Sequence, residues 1–271
     1  MTHNYRSLSF QLRRLGLALM LPVALCGAVV IPSQLQTATA QTSSNNRALS
    51  ISADQQEYNA KNEVVLIRGN VQISYPARQI KATAALGQFF VRQNQIDLTG
   101  GVYILQGGKN NIRGEKATYL INEGRFIATP RSGSQVVSTY VVNNTNARNQ
   151  GSVGNGPLTM RTNLQEYNSN TGIATGRGNV KLSYPARQIK ATAAQAQFFE
   201  REQRIILSGG VYILQDGKNS IRGETVTYLI DEQRFVAAPK SGGRVQSTYI
   251  IDDVPAQSNQ APSTPNLRRN N

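Results

Sequence analysis

The sequence predicts an all-β protein built from two copies of one unit, and two observations support that prediction. The first is repetition: the twelve-residue string SYPARQIKATAA occupies Ser74–Ala85 and again Ser183–Ala194, an offset of 109 residues (183 − 74). The second is the alternation of apolar and polar side chains in short runs, which is typical of half-buried β-strands. We therefore expect one β-rich unit to have been duplicated whole.

The same offset relates motifs along both copies and sets the expected domain boundaries. Gly101–Gln106 (GVYILQ) returns as Gly210–Gln215, and Ile112–Glu115 (IRGE) returns as Ile221–Glu224. A stretch rich in Asn and Gly separates the copies and is typical of a loop. We expect a signal peptide at 1–40, a disordered segment at 41–48, repeat 1 at 49–142, an inter-repeat loop at 143–157, repeat 2 at 158–252 and a disordered tail at 253–271.

The first forty residues have the features of a cleaved export signal. Arg6, Arg13 and Arg14 form a positively charged start. An apolar run follows from Leu15 to Ile31, and Ala38–Ala40 supplies the small residues of a cleavage site. A single membrane anchor is the alternative, which the short apolar run disfavours. We therefore expect an exported, periplasmic protein.

Processing would remove most of the reactive side-chain chemistry. His3 and Cys26 are the only histidine and the only cysteine, and both lie in the predicted signal. Catalysis by Ser–His or Cys–His pairs and zinc sites built from Cys or His are then excluded. Paired carboxylates are the remaining enzymatic alternative, but Asp97, for instance, is replaced by Ile206 in the second copy. We expect no enzyme activity, no cofactor and no metal site.

The charge of the chain points to anionic partners. The formal net charge is +14 at pH 7, and it falls to +11 when the three signal arginines are removed. Such an excess favours nucleic acid, an anionic membrane face or a phosphorylated glycolipid. Nucleic acid is not expected as a partner because the chain is exported and has no platform of interleaved basic and aromatic residues.

The strand pattern within each copy has a period of two. Val71, Ile73 and Tyr75 alternate with Gln72 and Ser74, and other runs of four to seven residues behave in the same way. Between the runs stand Gly-Asn, Gly-Gly, Gly-Gly-Lys-Asn or Asn-Glu-Gly, which we interpret as tight turns between antiparallel strands. This interpretation gives nine or ten short strands per copy.

Nine motifs follow one another through the first copy, and most of them recur in the second. They are Ile51–Asp54, Tyr58, Gly69–Val71, Ile80–Ala82, Leu98–Gly100, Val102–Gln106, Asn111–Glu115, Thr118–Ile121 and Val136–Val141. In this order, behind an export signal, they resemble the LptA/OstA family of lipopolysaccharide-transport proteins. The duplicated length resembles the extended members of that family in lineages such as cyanobacteria.

The resemblance implies a fold, a cargo and partners. The implied fold is an open β-jellyroll, or β-taco, of two stacked tandem repeats with a continuous apolar groove. Its implied function is to carry lipopolysaccharide, or a related acylated glycolipid, from an inner-membrane exporter to an outer-membrane translocon. The implied partners are that lipid and inner-membrane LptC-like and outer-membrane LptD-like proteins. Further copies of the chain would join head to tail through the edge strands near Leu49–Ala53 and Val245–Ile251.

We expect the alternating apolar residues to line this groove, although the same alternation would suit a closed core. In repeat 1 they are Ile73, Tyr75, Ile80, Ile96, Leu98, Val102, Ile104, Tyr119, Ile121 and Phe126. In repeat 2 they are Leu182, Tyr184, Ile189, Ile205, Leu207, Val211, Ile213, Tyr228, Ile230 and Phe235.

Four cations of the repeated string are candidates for the rim of the groove: Arg78, Lys81, Arg187 and Lys190. There they would meet anionic groups of a lipid head, and the alternative is a solvated outer face. The adjacent Phe89 and Phe90 must face opposite sides, and the pattern does not tell which faces inward. The alternative function is that of a structural or adhesive secreted β-repeat protein, which would bind acidic polysaccharide and have a filled interior.

Overall fold

The computed structural model describes residues 48–142 and 156–250. The predicted signal peptide, the segment 41–47, the inter-repeat residues 143–155 and the tail from 251 onward lie outside the described residues. Within the described ranges, one sixteen-stranded antiparallel sheet runs through both repeats. The prediction of an all-β fold is confirmed.

Each repeat contributes eight strands to the described part of the chain. Repeat 1 contains β1 (Ser50–Ser52), β2 (Gln55–Asn59), β3 (Val64–Tyr75), β4 (Ile80–Phe90), β5 (Gln95–Gln106), β6 (Asn110–Leu120), β7 (Arg125–Thr129) and β8 (Val136–Val142). Repeat 2 contains β9 (Gly156–Thr162), β10 (Leu164–Asn168), β11 (Ile173–Tyr184), β12 (Ile189–Phe199), β13 (Arg204–Gln215), β14 (Asn219–Leu229), β15 (Arg234–Ala238) and β16 (Gln246–Thr248). Single 3-10 turns at Pro76–Arg78 and Pro185–Arg187 join β3 to β4 and β11 to β12.

The expectation of nine or ten short strands per repeat is wrong, because two of the predicted turns are bends inside long strands. Gly69–Asn70 lies within β3 and Gly100–Gly101 within β5, and all four residues have positive φ. The register of β3 on β4 shifts between Arg68 and Val71, which marks a β-bulge. A Cβ on Gly100 would lie 2.7 Å from the Cβ of Ala85, so this bend requires glycine.

The bends divide the sheet into two layers that face each other. Layer A holds the short strands β2, β7, β10 and β15. It also holds one half of each long strand, which in repeat 1 are residues 64–68, 86–90, 95–99 and 116–120, and the equivalent halves in repeat 2. Layer B holds β1, β8, β9 and β16 with the halves at 71–75, 80–84, 102–106 and 110–114 and their equivalents. The bulges lie along the closed edge, and the hairpin turns of the two layers lie along the opposite edge, which we call the mouth.

The two repeats are joined by strand pairing in both layers. In layer A, β7 pairs with β10, with Phe126 opposite Tyr167. In layer B, β8 pairs with β9 over seven residue pairs, from Val136 opposite Thr162 to Val142 opposite Gly156. We call the strands β7, β8, β9 and β10 the seam. Both layers therefore continue through the seam without a break in hydrogen bonding.

One row of inward positions crosses every strand of layer A on the mouth side. At about 4.8 Å between neighbouring strands, the row spans about 50 Å. Its members are Tyr58, Val65, Phe89, Ile96, Tyr119, Phe126, Tyr167, Ala174, Phe198, Ile205, Tyr228 and Phe235.

Candidate functional site

The interior between the two layers contains all twenty apolar residues predicted to line a groove. Tyr75, Ile121 and Phe235 are partly buried and pack against the core, and the other seventeen are 6% exposed or less. They belong to one hydrophobic cluster that runs through both repeats. The two layers therefore pack against each other, and an acyl chain could lie between them only if the layers moved apart at the mouth.

The question of the paired phenylalanines is answered by the register. Phe89 is opposite Ile96 and packs against the core, and its repeat-2 equivalent Phe198 is fully buried. The neighbouring Phe199 points outward, where the guanidinium of Arg204 lies 4.2 Å from the centre of its ring. The first phenylalanine of each pair therefore faces the interior.

Stacked aromatic pairs lie on the interior side of each repeat. The rings of Tyr119 and Phe126 are 4.3 Å apart and nearly parallel, and those of Tyr228 and Phe235 are 4.4 Å apart. Burial raises the pKa of both tyrosines to about 12, and the nearby cations Arg78 and Arg187 oppose that rise. Each repeat thus presents an apolar aromatic surface with a cation close to the tyrosine.

The four predicted rim cations divide into two groups. Arg78 and Arg187 end the 3-10 turns of layer B and lie at the mouth. Lys81 and Lys190 do not: each follows a buried isoleucine on its strand, so the alternation turns both to the exposed outer face. The rim prediction is therefore wrong in position for the two lysines.

Polar contacts connect the two layers at the seam end of the mouth. The carboxylate of Glu200 in layer A accepts hydrogen bonds from the Tyr167 hydroxyl at 3.0 Å and from Asn110 Nδ2 at 3.1 Å. Lys109 Nζ lies 3.3 Å from the same carboxylate. Burial together with Glu200 raises the pKa of Tyr167. These bonds hold layer B against layer A where the two repeats meet.

A second contact crosses the mouth beside them. Arg78 Nη1 in layer B of repeat 1 donates a hydrogen bond to Asn170 Oδ1 in layer A of repeat 2. A cavity of about 470 Å³ adjoins these contacts. Its lining includes Gln79, Lys109, Asn110, Tyr167, Glu200 and Arg201.

The interior of the seam is more polar than the rest of the core. Ser138 Oγ in layer B lies 3.1 Å from Gln165 Oε1 in layer A, and both residues are fully buried. Tyr140 packs between the layers, with its ring 5.9 Å from that of Tyr167 and 5.5 Å from that of Phe198. At the seam, buried polar and aromatic contacts therefore join the two layers.

The polar residues that connect the two layers beside the seam were missed by the sequence reasoning, which looked for positions at which the two copies agree. A search for positions at which they differ would have found one of them. Glu200 stands where repeat 1 has Val91, and this change creates the carboxylate that joins the layers.

No helix within residues 48–142 and 156–250 is long and apolar enough to cross a bilayer.

A family model described as LptA/(LptD N-terminal domain) LPS transport protein matches residues 142–234. The match runs from the last residue of β8 to the first residue of β15. The matched part of the chain is LptA/OstA-like. The matched residues cover repeat 2 as far as the start of β15, and repeat 1 carries most of the same motifs at the 109-residue offset and the same strand order. The resemblance inferred from the sequence is confirmed, and the family is one of transport proteins rather than enzymes.

Among solved structures, the chain is similar to LptH, described as the LptA homologous periplasmic component of the lipopolysaccharide transport device of Pseudomonas aeruginosa. The two share 15% sequence identity, and the overlay covers 76% of this chain and 97% of LptH with a TM-score of 0.23. A TM-score of this size adds nothing to the fold assignment, which depends on the strand register. None of the curated proteins compared with the chain matches it.

Proposed function

We propose that this LptA/OstA-like chain is a periplasmic bridge that carries lipopolysaccharide, or a related acylated glycolipid, with its acyl chains between the two layers. The observation that supports this proposal is the apolar row of layer A, which passes through the seam from one end of the sheet to the other. A row of that length offers a track between an inner-membrane exporter and an outer-membrane translocon.

The energetics favour acyl chains as the cargo. Each methylene removed from water contributes about 0.8 kcal/mol, so a chain of ten or more carbons offsets a considerable cost of separating the layers. The interior contacts that a lipid would replace are those between apolar side chains of layers A and B. The contacts at Glu200 and Asn170 cross the mouth itself, so lipid passage through the seam requires these polar bonds to break.

The head group would remain outside at the mouth. Arg78 and Arg187 stand there, next to Tyr119 and Tyr228, and each could form charge-assisted hydrogen bonds with phosphate groups. The two arginines come from the same position of the repeated string. Each repeat would thus present one cation to a head group while its aromatic pair contacts the acyl chains.

The free ends of the sheet are the proposed docking edges for LptC-like and LptD-like proteins and for further copies of the chain. Tyr58 at the first end is 58% exposed, and its seam equivalent Tyr167 is 3% exposed. Tyr249 at the last end is 64% exposed, and its equivalent Tyr140 is fully buried. A second copy placed head to tail could therefore repeat the seam, with β15 of one copy paired to β2 of the next.

Engineered cysteines test the head-to-tail contact. Ile127 is opposite Glu166 in the seam, so its equivalent Val236 should be opposite Glu57 of the next copy. We expect the double variant Glu57→Cys/Val236→Cys to form a ladder of disulfide-linked oligomers under mild oxidation. In the control Glu57→Cys/Thr227→Cys, the second cysteine lies on β14 instead of β15, because Thr227 pairs with Val236 within the same copy. Equal ladders from both variants, or none from the first, would argue against this contact.

Lipid analysis tests the cargo and separates it from the polysaccharide-binding alternative. We expect protein purified gently from envelope extracts to carry an acylated glycolipid that organic extraction and mass spectrometry detect. Delipidated protein incubated with purified lipopolysaccharide should regain it. A protein that takes up no acylated lipid in either experiment, and retains acidic polysaccharide instead, would favour the adhesive alternative.

A further inference from the structure

A shallow trough crosses the outer face of layer B in repeat 2, on the side of the sheet away from the interior. It has a volume of about 420 Å³ and runs over β9, β11, β12 and β13. Its walls carry the cations Arg161, Lys181 and Lys190, all exposed. Leu182 and Ala191 also border the trough, but both are buried, and the alternation along β11 and β12 turns their side chains to the opposite face. The sheet therefore separates the trough from the proposed lipid interior.

The cations of the trough are arranged at an energetic cost. Arg161 and Lys181 are directly opposite each other on β9 and β11, and like charges in that position destabilise a sheet. Lys190 is opposite Ser183, two residue pairs along β11 from Lys181 and therefore on the same face. Within the described residues, none of these three cations has an ion pair or hydrogen bond with a carboxylate. An anion in the trough would relieve their repulsion.

The trough also supplies hydroxyl groups and an apolar floor. Thr159, Ser183 and Thr192 line it, and in the described part of the chain their hydroxyls bond to no other side chain. Tyr212 forms part of the wall and is held in place by Arg222, whose guanidinium lies 4.5 Å from the centre of the ring. Hydroxyl groups beside exposed cations suit a ligand that carries both phosphate and hydroxyl groups.

We propose that this trough is a binding site for a phosphorylated sugar, distinct from the interior. Arg161, Lys181 and Lys190 bind the phosphate groups through charge-assisted hydrogen bonds. The threonine and serine hydroxyls bond to the hydroxyls of the sugar. The proposal does not rest on lipid transport, because none of these side chains faces the space between the layers.

Repeat 1 shows what the same surface looks like without the site. The equivalents of Arg161 and Lys181 are Ser52 and Gln72, which are opposite each other as a neutral pair on β1 and β3. Lys81 is the equivalent of Lys190 in the repeated string. The duplication thus kept one lysine in both copies, and only repeat 2 has the two additional cations.

Calorimetric titration of the mature protein with fructose 1,6-bisphosphate at low salt tests the proposal. We expect one saturable site per chain. Three single variants should each weaken binding about fivefold, as expected for one exposed ion pair. They are Lys190→Gln, Arg161→Ser and Lys181→Gln, and the last two install the residues of repeat 1. The matched control Lys81→Gln removes the same charge from repeat 1 and should leave the affinity unchanged.

Three further results bear on the chemistry of the ligand. Fructose should give no heat, and inorganic phosphate should bind more weakly than the bisphosphate. Binding that Lys81→Gln weakens as much as Lys190→Gln would overturn the proposal, because it would reflect overall charge alone. Inorganic phosphate binding as tightly as the bisphosphate would overturn the role of the sugar. Absence of a saturable site, or binding to phosphatidylglycerol vesicles but not to the bisphosphate, would overturn the site itself.

Discussion

The seam and the free ends of this sheet are made from equivalent segments of the two repeats and have opposite surroundings. Met160 in the seam is fully buried, and its equivalent Ile51 lies on a three-residue edge strand and is partly exposed. Val136 is fully buried, and its equivalent Val245 is 37% exposed. Burial at these positions is therefore set by whether the strand is paired with a neighbouring repeat, and not by the residue type.

The comparison explains why some apolar side chains are exposed at the ends of the described sheet. A strand that was to remain an edge would be expected to carry charges or prolines that prevent pairing. At the last end, Val236 in β15 is instead 49% exposed, and Ile250, just beyond β16, is 54% exposed. These ends resemble half of a seam, which is the basis for proposing that they bind another unit.

Proline substitutions should produce the largest difference between the seam and the free ends. Met160→Pro places a proline in β9, which pairs on both sides with β8 and β11, and we expect the protein to lose cooperative folding because the ladder is interrupted. Ile51→Pro affects an edge strand paired on one side only. It should leave the melting temperature within a few degrees while abolishing the disulfide ladder. A stable Met160→Pro protein would contradict the structural role of the seam.

Truncation of equivalent tyrosines should show the next largest difference. Tyr140→Ala removes a fully buried ring that packs on Tyr167 and Phe198, and should lower the free energy of unfolding by about 3–5 kcal/mol. Tyr249→Ala removes an exposed ring and should change it by less than about 0.5 kcal/mol. Urea denaturation of the two variants measures both. Similar losses would mean that the last strand is already buried by self-association at the concentration used.

The carboxylate that joins the layers should contribute an intermediate amount. Glu200→Val installs the residue of repeat 1 and leaves Asn110 and Tyr167 without their acceptor, which should cost about 1–3 kcal/mol. The control Glu232→Gln disrupts an exposed pair with Arg234 and should cost less than about 1 kcal/mol. If lipid passes through the seam, Glu200→Val should also speed lipid uptake. Denaturation and lipid-uptake rates would show whether these two effects occur together.

Alkaline pH should produce the most gradual change. Burial raises the pKa of Tyr119 and Tyr228 to about 12, above the value of about 10 in an unfolded chain. Folding then favours the protonated form, so this stability is fully present below pH 10 and is lost as the pH rises towards 12. Unfolding free energies measured between pH 8 and 11.5 should be flat and then fall. A decline that is complete below pH 10 would point to other groups.

The alternation of residues was enough to predict which side chains face inward. It placed Ile104 and Phe126 correctly, because a strand period of two follows directly from backbone geometry. It failed at Gly69–Asn70 and Gly100–Gly101, since a bulge and a tight turn both require positive φ and have the same glycine signal. Only the strand pairing across them, which is not local, distinguishes a bend from a turn.

The contacts across the mouth could not be predicted from local patterns. Asn110 and Glu200 are ninety residues apart in sequence, and they meet because the seam brings the turn of one repeat over that of the next. The outward position of Lys81, by contrast, could have been predicted, because Lys81 alternates with the inward-facing Ile80 on β4. That prediction was wrong because the rim was assigned from charge alone.

Site-specific photo-crosslinking in cells tests most directly whether the interior of both repeats carries lipid. A benzophenone amino acid at Tyr119 or Tyr228 would face the space between the layers, and at the neighbouring Thr118 or Thr227 it would face outward. We predict that both inward positions label the same acylated glycolipid and that the outward positions do not. Labelling at neither inward position, or equal labelling on both faces, would contradict transport through the interior.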